Sequence, residues 1–488
     1  KYIECLNENP YYDGLNISEM LYYSAQKFPL NGISHLEGLS ASSCSMSYAS
    51  LLERSELFAR NLILSGIVEK TKIALLIDET FDFFTAFWGC IIAGCIPCTL
   101  TKINDVERWE THLIHINSLL DNPLLITTDT HIDSVSHLNA YKFDKYLESS
   151  EQVRLPTLRD PSETAVIVLT SGSTGNSKGV VLSHRHLFSS VVGRQGCRNF
   201  CSEDIILNWI SFDHVASLTE SHMIALFSGA NWMHIDTVSI VSDPILILKI
   251  FSKYKVTSSL VPNFLLGQIN ALLQEDSSTI DTLSGIDLSS LKHIITGGEA
   301  NVVQTAVTFL SLLEPYNLNK NVLWPGFGMT ETCGGAFYSK DFPSIDKSLE
   351  FSTFNCPIEG FDWRVTNECG EEVKNGDYGE LQLSGPMVFN GYLNNEEENN
   401  QSFTSDGWFR TGDSARVIDG RLELSGRNKD SIIVNGINYY NQVLEASLEK
   451  LDGIEKSYLA AFSYRPEGAD TENLVVAFST SFFDEDDI

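Results

Sequence analysis

Short apolar runs alternate with longer helical patterns along most of the 488-residue chain. A run at 72–77 is followed by a helical pattern, a second run at 96–100 and another helical pattern. This alternation is typical of parallel strands, because two parallel neighbours need a long connection that a helix usually supplies. It predicts an α/β fold in which helices flank mixed sheets. Further runs of the same kind lie at 124–127, 165–169, 256–261 and 291–296.

The sequence after residue 355 has a different pattern. Short strand patterns at 363–366, 379–383 and 421–424 are separated by Asn-Gly and Asp-Gly turns, which indicates antiparallel hairpins in a small β-barrel-like part. The polar run at 394–401 is typical of a solvated surface.

A small unit with its own strand and helix patterns begins near residue 426. We expect a strand at 432–434 and a helix over about 441–451. The chain is therefore predicted to comprise a large body over 1–425 and a small α+β unit over 426–488.

The charge balance restricts the partners of this chain. Thirty-three Lys and Arg residues face 64 Asp and Glu residues, for a net charge of −31. Nucleic-acid binding is not expected, because a surface this acidic cannot neutralise a phosphate backbone.

No membrane or secretory segment is expected either. The 19 uncharged residues at 83–101 are interrupted by Gly89, Gly94 and Pro97, and they predict a buried helix running into a buried strand. Ten irregularly spaced cysteines and the lack of a signal-peptide pattern at Lys1 favour a reducing, cytoplasmic location.

A loop rich in glycine and hydroxyl groups follows the apolar run at 165–169. It can present backbone N–H groups, hydroxyls and one ammonium to a polyphosphate. Its spacing differs from a Walker A loop, because Lys178 stands between Ser177 and Gly179. The candidate phosphate-binding residues are Thr170, Ser171, Gly172, Ser173, Thr174, Gly175 and Lys178.

Further motifs follow this loop in a fixed order. They are Thr-Gly-Gly-Glu at 296–299, Gly-Phe-Gly-Met-Thr-Glu at 326–331, Gly-Glu-Leu at 379–381 with Gly-Tyr at 391–392, Trp-Phe-Arg-Thr-Gly-Asp at 408–413, and Gly-Arg-Asn-Lys-Asp at 426–430 with Asn-Gly-Ile-Asn at 435–438. Over nearly its whole length the chain resembles the adenylate-forming superfamily of acyl-CoA ligases, luciferases and nonribosomal peptide synthetase adenylation domains.

The resemblance implies an enzyme that uses ATP and Mg²⁺ to activate a carboxylic acid. A carboxylate oxygen would attack the α-phosphorus of ATP, pyrophosphate would leave, and the acyl group would pass from acyl-AMP to the phosphopantetheine thiol of a carrier protein. The protein would position the nucleotide and neutralise charge. The body over 1–425 would bind ATP and the acid, and 426–488 would be part of a lid.

The resemblance also implies roles for individual residues. Lys178, Thr330 and Glu331 would be catalytic: Lys178 with the loop on the β- and γ-phosphates, Thr330 on the α-phosphate, and Glu331 on Mg²⁺. Asp413 would accept both ribose hydroxyls, with Arg427 close to the ribose. The nucleotide-binding set is completed by Gly298, Glu299, Phe327 and Gly328, with Gly297 also near the adenine.

Two alignments compete for the part that binds the acid. If Phe212 and Asp213 match the Phe-Asp pattern of amino-acid-activating domains, Asp213 would pair with the substrate ammonium. If His214 matches the Phe-His pattern of acyl ligases, no carboxylate faces the α-position. We favour the second alignment, because the segment 208–218 is similar to adenylation domains that take 2-oxo, 2-hydroxy or aryl acids.

The acid pocket is expected to be lined by small and polar residues. The candidates are Phe212, Asp213, His214, Ser217, Gly297, Gly328, Met329, Cys333 and Gly334. Small side chains at several of these positions would admit a bulky or aromatic group. Glu220 and His222 fit a pocket role and a satisfied helix position equally well.

The lid departs from the family pattern. Lys429 matches the family's hinge position, but Lys456 is the last lysine in the sequence. We therefore expect this chain to lack the lid lysine that the family uses for adenylation.

Alternative functions of the chain are an amino-acid-activating domain, an acyl-CoA or fatty-acyl-AMP ligase, and a catalytically weak module that binds ATP and an acid. The acidic composition favours a carrier protein over free CoA.

Overall fold

The computed structural model describes residues 16–39, 44–148, 153–156, 160–170, 177–275, 277–427, 431–434, 437–449, 451, 453–464 and 473–480. The strands, in chain order, are β1 Gly32–Leu36, β2 Cys44–Ser47, β3 Lys72–Leu76, β4 Ile96–Thr99, β5 Leu124–Thr127, β6 Ala140–Lys142, β7 Thr164–Thr170, β8 Lys178–Ser183, β9 Ile205–Asn208, β10 Asn231–Ile235, β11 Ser258–Leu260, β12 His293–Gly297, β13 Leu323–Met329, β14 Gly334–Tyr338, β15 Cys356–Pro357, β16 Asp362–Thr366, β17 Tyr378–Ser384, β18 Phe409–Ile418, β19 Arg421–Arg427, β20 Ser431–Val434, β21 Ile437–Tyr440, β22 Ile454–Tyr464 and β23 Asn473–Thr480.

Helices connect most of these strands. The α-helices are α1 Ser18–Lys27, α2 Tyr48–Leu64, α3 Thr80–Ile92, α4 Val106–Leu119, α5 Ile132–Val135, α6 His184–Arg198, α7 Ile224–Ser228, α8 Thr237–Ser242, α9 Ile245–Tyr254, α10 Asn263–Glu275, α11 Ser277–Thr282, α12 Val303–Leu313, α13 Glu396–Ser402 and α14 Asn441–Leu448. Short 3₁₀ turns cover Phe143–Tyr146, Glu314–Tyr316 and Thr330–Thr332, and a π-helix covers Ala216–Met223.

Two large mixed sheets form the body, which confirms the predicted α/β class. The first has nine strands in the order β15-β14-β13-β12-β11-β9-β10-β1-β2, and the second has six in the order β6-β5-β3-β4-β7-β8. In the first sheet, the neighbours from β13 to β1 in this spatial order pair parallel, and in the second sheet those from β6 to β7 do so. The pairs at the sheet edges are antiparallel. Parallel sheets of this kind need cover on both faces, and the crossover helices provide it.

The antiparallel part predicted after residue 355 is a four-stranded sheet in the order β16-β17-β18-β19. It is followed by two separate two-stranded pairs, β20-β21 and β22-β23. The change of sheet after β19 agrees with the change of pattern seen near residue 426.

The uncharged segment at 83–101 lies in the core of the body. It forms most of α3 and all of β4, and the residues of both elements from Phe83 onward are buried almost throughout. A helix that is apolar on all sides is stable only where neighbours cover every side, and here α2 and aromatic side chains do so. In the described part of the chain, no helix has the length and apolar character needed to cross a bilayer.

Candidate active site

A cavity of about 1340 Å³ opens at the carboxyl ends of strands from both large sheets. Thr170 ends β7, Gly297 ends β12 and Met329 ends β13, and all three line it. Residues of β18 and helix α13 close another side. Ligands of α/β proteins usually bind at this edge of the sheet, because side chains from several strands and loops converge there.

Lys178, a candidate phosphate-binding residue, lines the cavity. It opens β8 and pairs in register with Thr170, the last residue of β7. Its Nζ lies 2.6 Å from Oε1 of Glu398 and 5.0 Å from the centre of the Tyr392 ring. The candidate residues from Ser171 to Gly175 lie outside the described residues.

Thr330 and Glu331 reach the cavity from the 3₁₀ turn that directly follows β13. Oε1 of Glu331 accepts a hydrogen bond of 2.7 Å from the Tyr392 hydroxyl, and the Glu331 carbonyl accepts one of 2.8 Å from the Phe389 N–H. Burial and the Glu331 carboxylate raise the pKa of Tyr392, so its hydroxyl keeps its proton and remains the donor. Glu331 is thus held at the wall from its side chain and its backbone.

The proposed nucleotide side is partly assembled at the same cavity. Gly297, Gly298, Glu299 and Gly328 line it. Glu299 accepts a 2.7 Å hydrogen bond from the backbone N–H of Phe264, and burial raises the pKa of this carboxyl group.

The candidate ribose residues face one another across two strands. Asp413 on β18 is a register partner of Arg427 on β19, and the two residues before it, Thr411 and Gly412, line the cavity. Asp413 is buried and is not itself among the lining residues. The Arg427 side chain and the hinge residue Lys429 lie outside what the structure describes.

Asp213, His214, Met329 and Gly334 line the side expected to bind the acid. The Asp213 carboxylate accepts a 2.5 Å hydrogen bond from the Ser211 hydroxyl. Nδ1 of His214 accepts a 3.1 Å hydrogen bond from the Ala216 N–H, and surrounding protein lowers the pKa of this imidazole even though it is exposed to the cavity. Asp213 and His214, on which the two competing alignments depend, therefore both line the cavity.

Besides Asp413, four predicted site residues do not line the cavity. The Phe212 ring is buried against Phe83, with ring centres 4.6 Å apart, because a large apolar ring finds its partners in the core. Ser217 is fully buried in the π-helix. Cys333 has a φ of 55° that turns its thiol away to the carbonyl of Met387, 3.5 Å away. The Phe327 ring is directed towards Phe337 and Phe354.

The glycines of β13 and β14 have a structural role that differs from the one expected. A Cβ atom on Gly328 would lie 2.1 Å from the carbonyl oxygen of Gly334, so a side chain there would meet the neighbouring strand. Gly334 has a φ of 102°, which L-residues rarely adopt. Gly328 is required by the close approach of the two strands, and Gly334 by its left-handed backbone and the nearby Arg194, Thr219 and Glu220 side chains. That their small size also admits a bulky acid stays a prediction.

A buried ion-pair cluster supports this wall. The Glu220 carboxylate lines the cavity and accepts hydrogen bonds from the Arg198 guanidinium, the Gly335 N–H and the Tyr338 hydroxyl. Burial alone would raise its pKa, but Arg198 and Arg194 lower the pKa of Glu220 to about 2. Glu220 is therefore ionised and fully engaged.

His222 is a buried core residue. Its Nε2 accepts a 2.9 Å hydrogen bond from the Trp88 indole, and its ring stacks on Phe84 with centres 3.8 Å apart. Complete burial lowers its pKa to about 3, so the imidazole is neutral. Of the two residues left open by the sequence, Glu220 reaches the cavity and His222 does not.

Tyr392 and Glu398 reach the site although neither had a predicted role. Tyr392 belongs to the Gly-Tyr motif at 391–392, and that motif is the signal that could have identified it. Glu398 lies in the run interpreted as solvated surface, but in the structure Glu398, Asn400 and Gln401 line the cavity. That interpretation was wrong for Glu398, which is partly buried because one face of α13 is turned inward; Asn400 and Gln401 border the cavity but remain exposed.

Comparisons with known proteins identify the family of the chain. A sequence model of the family described as AMP-binding enzyme matches residues 24–393. The chain is 35% identical over 457 residues to the nonribosomal peptide synthetase acyN of Ascocoryne sarcoides, covering 91% of this chain and 49% of that one. It is 34% identical over 426 residues to the atromentin synthetase of Tapinella panuoides, covering 84% and 44%. The chain thus spans about half the length of the curated relatives it matches.

Solved structures show the same fold. The structure of McyG A-PCP complexed with phenylalanyl-adenylate matches with a TM-score of 0.88 and 30% identity, covering 97% of this chain and 75% of that one. The adenylation domain of a keto acid-selecting NRPS module, bound to a keto acyl adenylate, matches with a TM-score of 0.80 and 27% identity, covering 96% and 89%.

Proposed function

The chain belongs to the AMP-binding enzyme family, and from that premise we propose that it joins a 2-oxo, 2-hydroxy or aryl acid to AMP. ATP is consumed and pyrophosphate is released. The acyl group then passes from the acyl-adenylate to the phosphopantetheine thiol of a carrier protein.

The observation that carries this proposal is the meeting of three kinds of side chain at one cavity. Lys178 and Thr330 supply a cation and a hydroxyl for phosphates, Glu331 supplies a carboxylate, and Asp213 and His214 line the opposite side. Catalysis of phosphoryl transfer rests on such positioning and charge neutralisation. Glu398 competes with phosphate oxygens for the Lys178 ammonium.

A Mg²⁺ ion fits this site through Glu331. Its carboxylate is a hard oxygen donor, its Oε1 is oriented by Tyr392, and it lies on the same cavity as Lys178. The ion would offset negative charge on the phosphates and would take its other ligands from phosphate oxygens and water. The role of Tyr392 in this arrangement is to hold the carboxylate in place.

Two observations support an acid without an α-ammonium group. The Asp213 carboxylate already accepts a hydrogen bond from Ser211, and a neighbour of the same fold is keto acid-selecting. An α-amino acid is the second candidate, because Asp213 does line the cavity and another neighbour holds phenylalanyl-adenylate.

The carrier partner and the lid belong to the same proposal. The neighbour described as an A-PCP complex supports a carrier protein as the acceptor. We assign ATP and acid binding to the large body over 1–425. We assign 426–488 to part of a lid that turns about Lys429 to admit the thiol.

Binding of acyl-adenylate mimics tests the acid class without requiring turnover. Acylsulfamoyl adenosines that carry a 2-oxo, an aryl or an α-amino acyl group would be titrated into the protein by calorimetry. We expect a 2-oxo or aryl mimic to bind about tenfold more tightly than the α-amino mimic with the same side chain. Asp213→Asn should change that affinity little, as should Asp243→Asn, which alters an exposed carboxylate.

The opposite ranking would overturn the choice of acid. If the α-amino mimic binds best and Asp213→Asn abolishes its binding, Asp213 is the ammonium partner. If no mimic of any class binds, adenylation itself is the wrong assignment. ATP–pyrophosphate exchange with pooled acids, and thiol acceptor assays with carrier protein against free CoA, then identify the acid and the acceptor.

A further inference from the structure

Two cysteine side chains touch on the far side of the Glu220 cluster. The sulfur atoms of Cys197 and Cys356 are 3.4 Å apart, although the residues are separated by 159 positions in the chain. Cys197 lies in the last turn of α6, and Cys356 opens β15, the edge strand of the nine-stranded sheet. Both are free thiols of intermediate exposure. The fold, and not local sequence, brings them together.

The packing around the pair is close. A Cβ atom on Gly193 of α6 would lie 2.8 Å from the carbonyl oxygen of Glu359, so the helix contacts the segment that follows β15 directly. The Lys340 ammonium donates a 3.2 Å hydrogen bond to the carbonyl oxygen of Cys197. The two sulfur atoms are therefore held in contact by elements that cannot move apart freely, beside a positive charge.

The surroundings of the two sulfur atoms favour the thiolate form of one cysteine over its thiol form. The hydrogen bond from Cys197, together with the Lys340 ammonium, lowers the pKa of Cys356 to about 6, although burial opposes this. The pKa of Cys197 is raised, because its proton is held in the contact with Cys356. At neutral pH the arrangement supplies one nucleophilic sulfur with a second thiol next to it, as thiol–disulfide exchange requires.

We propose that Cys197 and Cys356 are a modification site that forms a reversible disulfide on reaction with a small-molecule disulfide such as oxidised glutathione. The Cys356 thiolate attacks one sulfur of the small disulfide, a new S–S bond forms, and glutathione leaves as a thiolate that takes up a proton. Cys197, after losing its proton to solvent, attacks the Cys356 sulfur of this mixed disulfide and expels the second glutathione thiolate. The two cysteines are oxidised, and one oxidised glutathione is reduced to two thiols.

The bond would tie the end of α6 to the edge of the large sheet. Arg198, the residue after Cys197, holds Glu220 at the cavity wall. The disulfide would therefore restrict the movement of Arg198 and Glu220, behind the side of the cavity that is proposed to bind the acid. Because the disulfide would close a long loop, it would also raise the melting temperature of the protein.

Peptide mapping of the intact protein tests the proposal. The reduced protein would be incubated in glutathione buffers of increasing oxidised fraction, quenched by alkylation, digested and analysed by mass spectrometry without reduction. We expect a linked pair of peptides that contain Cys197 and Cys356, lacking two hydrogen atoms, and its loss on addition of reduced glutathione. The melting temperature should rise by a few degrees with the linked fraction.

Serine variants provide the controls. The linked pair should disappear in Cys197→Ser and in Cys356→Ser, and in Cys356→Ser oxidation should leave the melting temperature unchanged. Cys369→Ser, which alters an exposed cysteine, should retain the linked pair. In the parent protein, alkylation at Cys356 should also be faster than at the buried Cys98.

Two results would contradict the inference. One is glutathione bound to the exposed cysteines while Cys197 and Cys356 are both recovered as free thiols. The other is a bond from either residue to Cys201, which is exposed and close in sequence. None of these readouts needs adenylation, so failure here leaves the proposed function untouched.

Discussion

Lys178 is held by a carboxylate and an aromatic ring before any phosphate reaches it. Glu398 pairs with its ammonium at 2.6 Å, and the same Tyr392 that it lies over donates to Glu331. Four side chains at the proposed phosphate and metal site are thus linked by direct contacts. A change in one of them should alter the behaviour of the others.

Removal of the Glu398 charge should strengthen ATP binding. In Glu398→Gln the ammonium of Lys178 no longer has a competing partner, so we expect the KM for ATP to fall about threefold, because a partly exposed ion pair contributes about 0.5–1 kcal/mol. Pyrophosphate exchange at varied ATP measures it. Glu397→Gln, on the exposed face of the same helix, should leave KM unchanged. A rise in KM for Glu398→Gln would show that the ion pair assists ATP binding.

Tyr392 and Glu331 should differ in the size of their effects. We expect Glu331→Gln to reduce pyrophosphate exchange by about 10²-fold or more, because a charged group at the phosphates is lost. Tyr392→Phe removes one hydrogen bond to Glu331 and should cost about fivefold, with a higher Mg²⁺ requirement. Tyr141→Phe is the matched control on the surface. An unchanged Mg²⁺ dependence in Tyr392→Phe would argue against its positioning role.

The ordered motifs predicted part of the cavity wall correctly. Lys178, Thr330 and Glu331 were placed at one site from their order in the chain, and the structure brings them to one cavity. Glu398 was missed because a polar side chain on a short helix looks the same in sequence whether its face is turned inward or outward. Phe212 was assigned to the pocket for its place beside Asp213, but the side-chain orientation depends on packing that the sequence does not show.

At the scale of elements, β13 and β14 are the pair that shapes the site. They run antiparallel, with a register shift between Phe327 and Gly328, just before β13 leads into the turn carrying Glu331. A bulge of this kind redirects the strand and often lies beside an active site. The close contact at Gly328 lies at this shift, two residues before the turn begins.

A methyl group at Gly328 should separate these strands. The added Cβ would lie 2.1 Å from the Gly334 oxygen, so we expect Gly328→Ala to lower the free energy of unfolding by about 1–3 kcal/mol. Gly267→Ala is the control, because it lies in helix α10 with no atom within 4 Å of the new Cβ. It should stabilise the protein by about 0.5–1 kcal/mol. Urea unfolding of both variants measures the difference, and a stable Gly328→Ala would disprove the steric argument.

Element boundaries followed the sequence closely where hydrophobic periodicity was strong. The run at 124–127 is β5, and the run at 165–169 is β7 with one more residue at each end. Sheet order was not predictable, because β9 lies between β10 and β11 through contacts between distant segments. The π-helix Ala216–Met223 was also missed, since its extra residue per turn leaves no simple periodic pattern.

At the scale of the whole molecule, the core contains several neutral imidazoles. Burial lowers the pKa of His222 and His234 to about 3, and that of His186 and His293 to about 4. The unfolded chain takes up these protons near pH 6.5, whereas the folded chain does not. Each of the four therefore favours the unfolded state as the pH falls.

Stability should decline from pH 6.5 downward. Because the folded pKa values are lowered, each histidine contributes a slope of up to about 1.4 kcal/mol per pH unit until its folded pKa is reached. Below about pH 4.5 the protonation of Glu220, whose folded pKa is about 2, adds to the loss. Urea unfolding from neutral pH to about pH 5 measures the first effect. NMR of the four imidazoles should show no titration in this range, unlike a histidine peptide; titration of all four would contradict the prediction.

The close approach of β13 and β14 limits how acid selectivity can be re-engineered. In a mutagenesis library that varies Gly328 or Gly334, most variants would have a disturbed sheet. Val215 and Ala216 line the cavity at the start of the π-helix, outside that strand pair. New specificities are therefore expected to arise first at the loop and helix side of the pocket, while the sheet side stays constant.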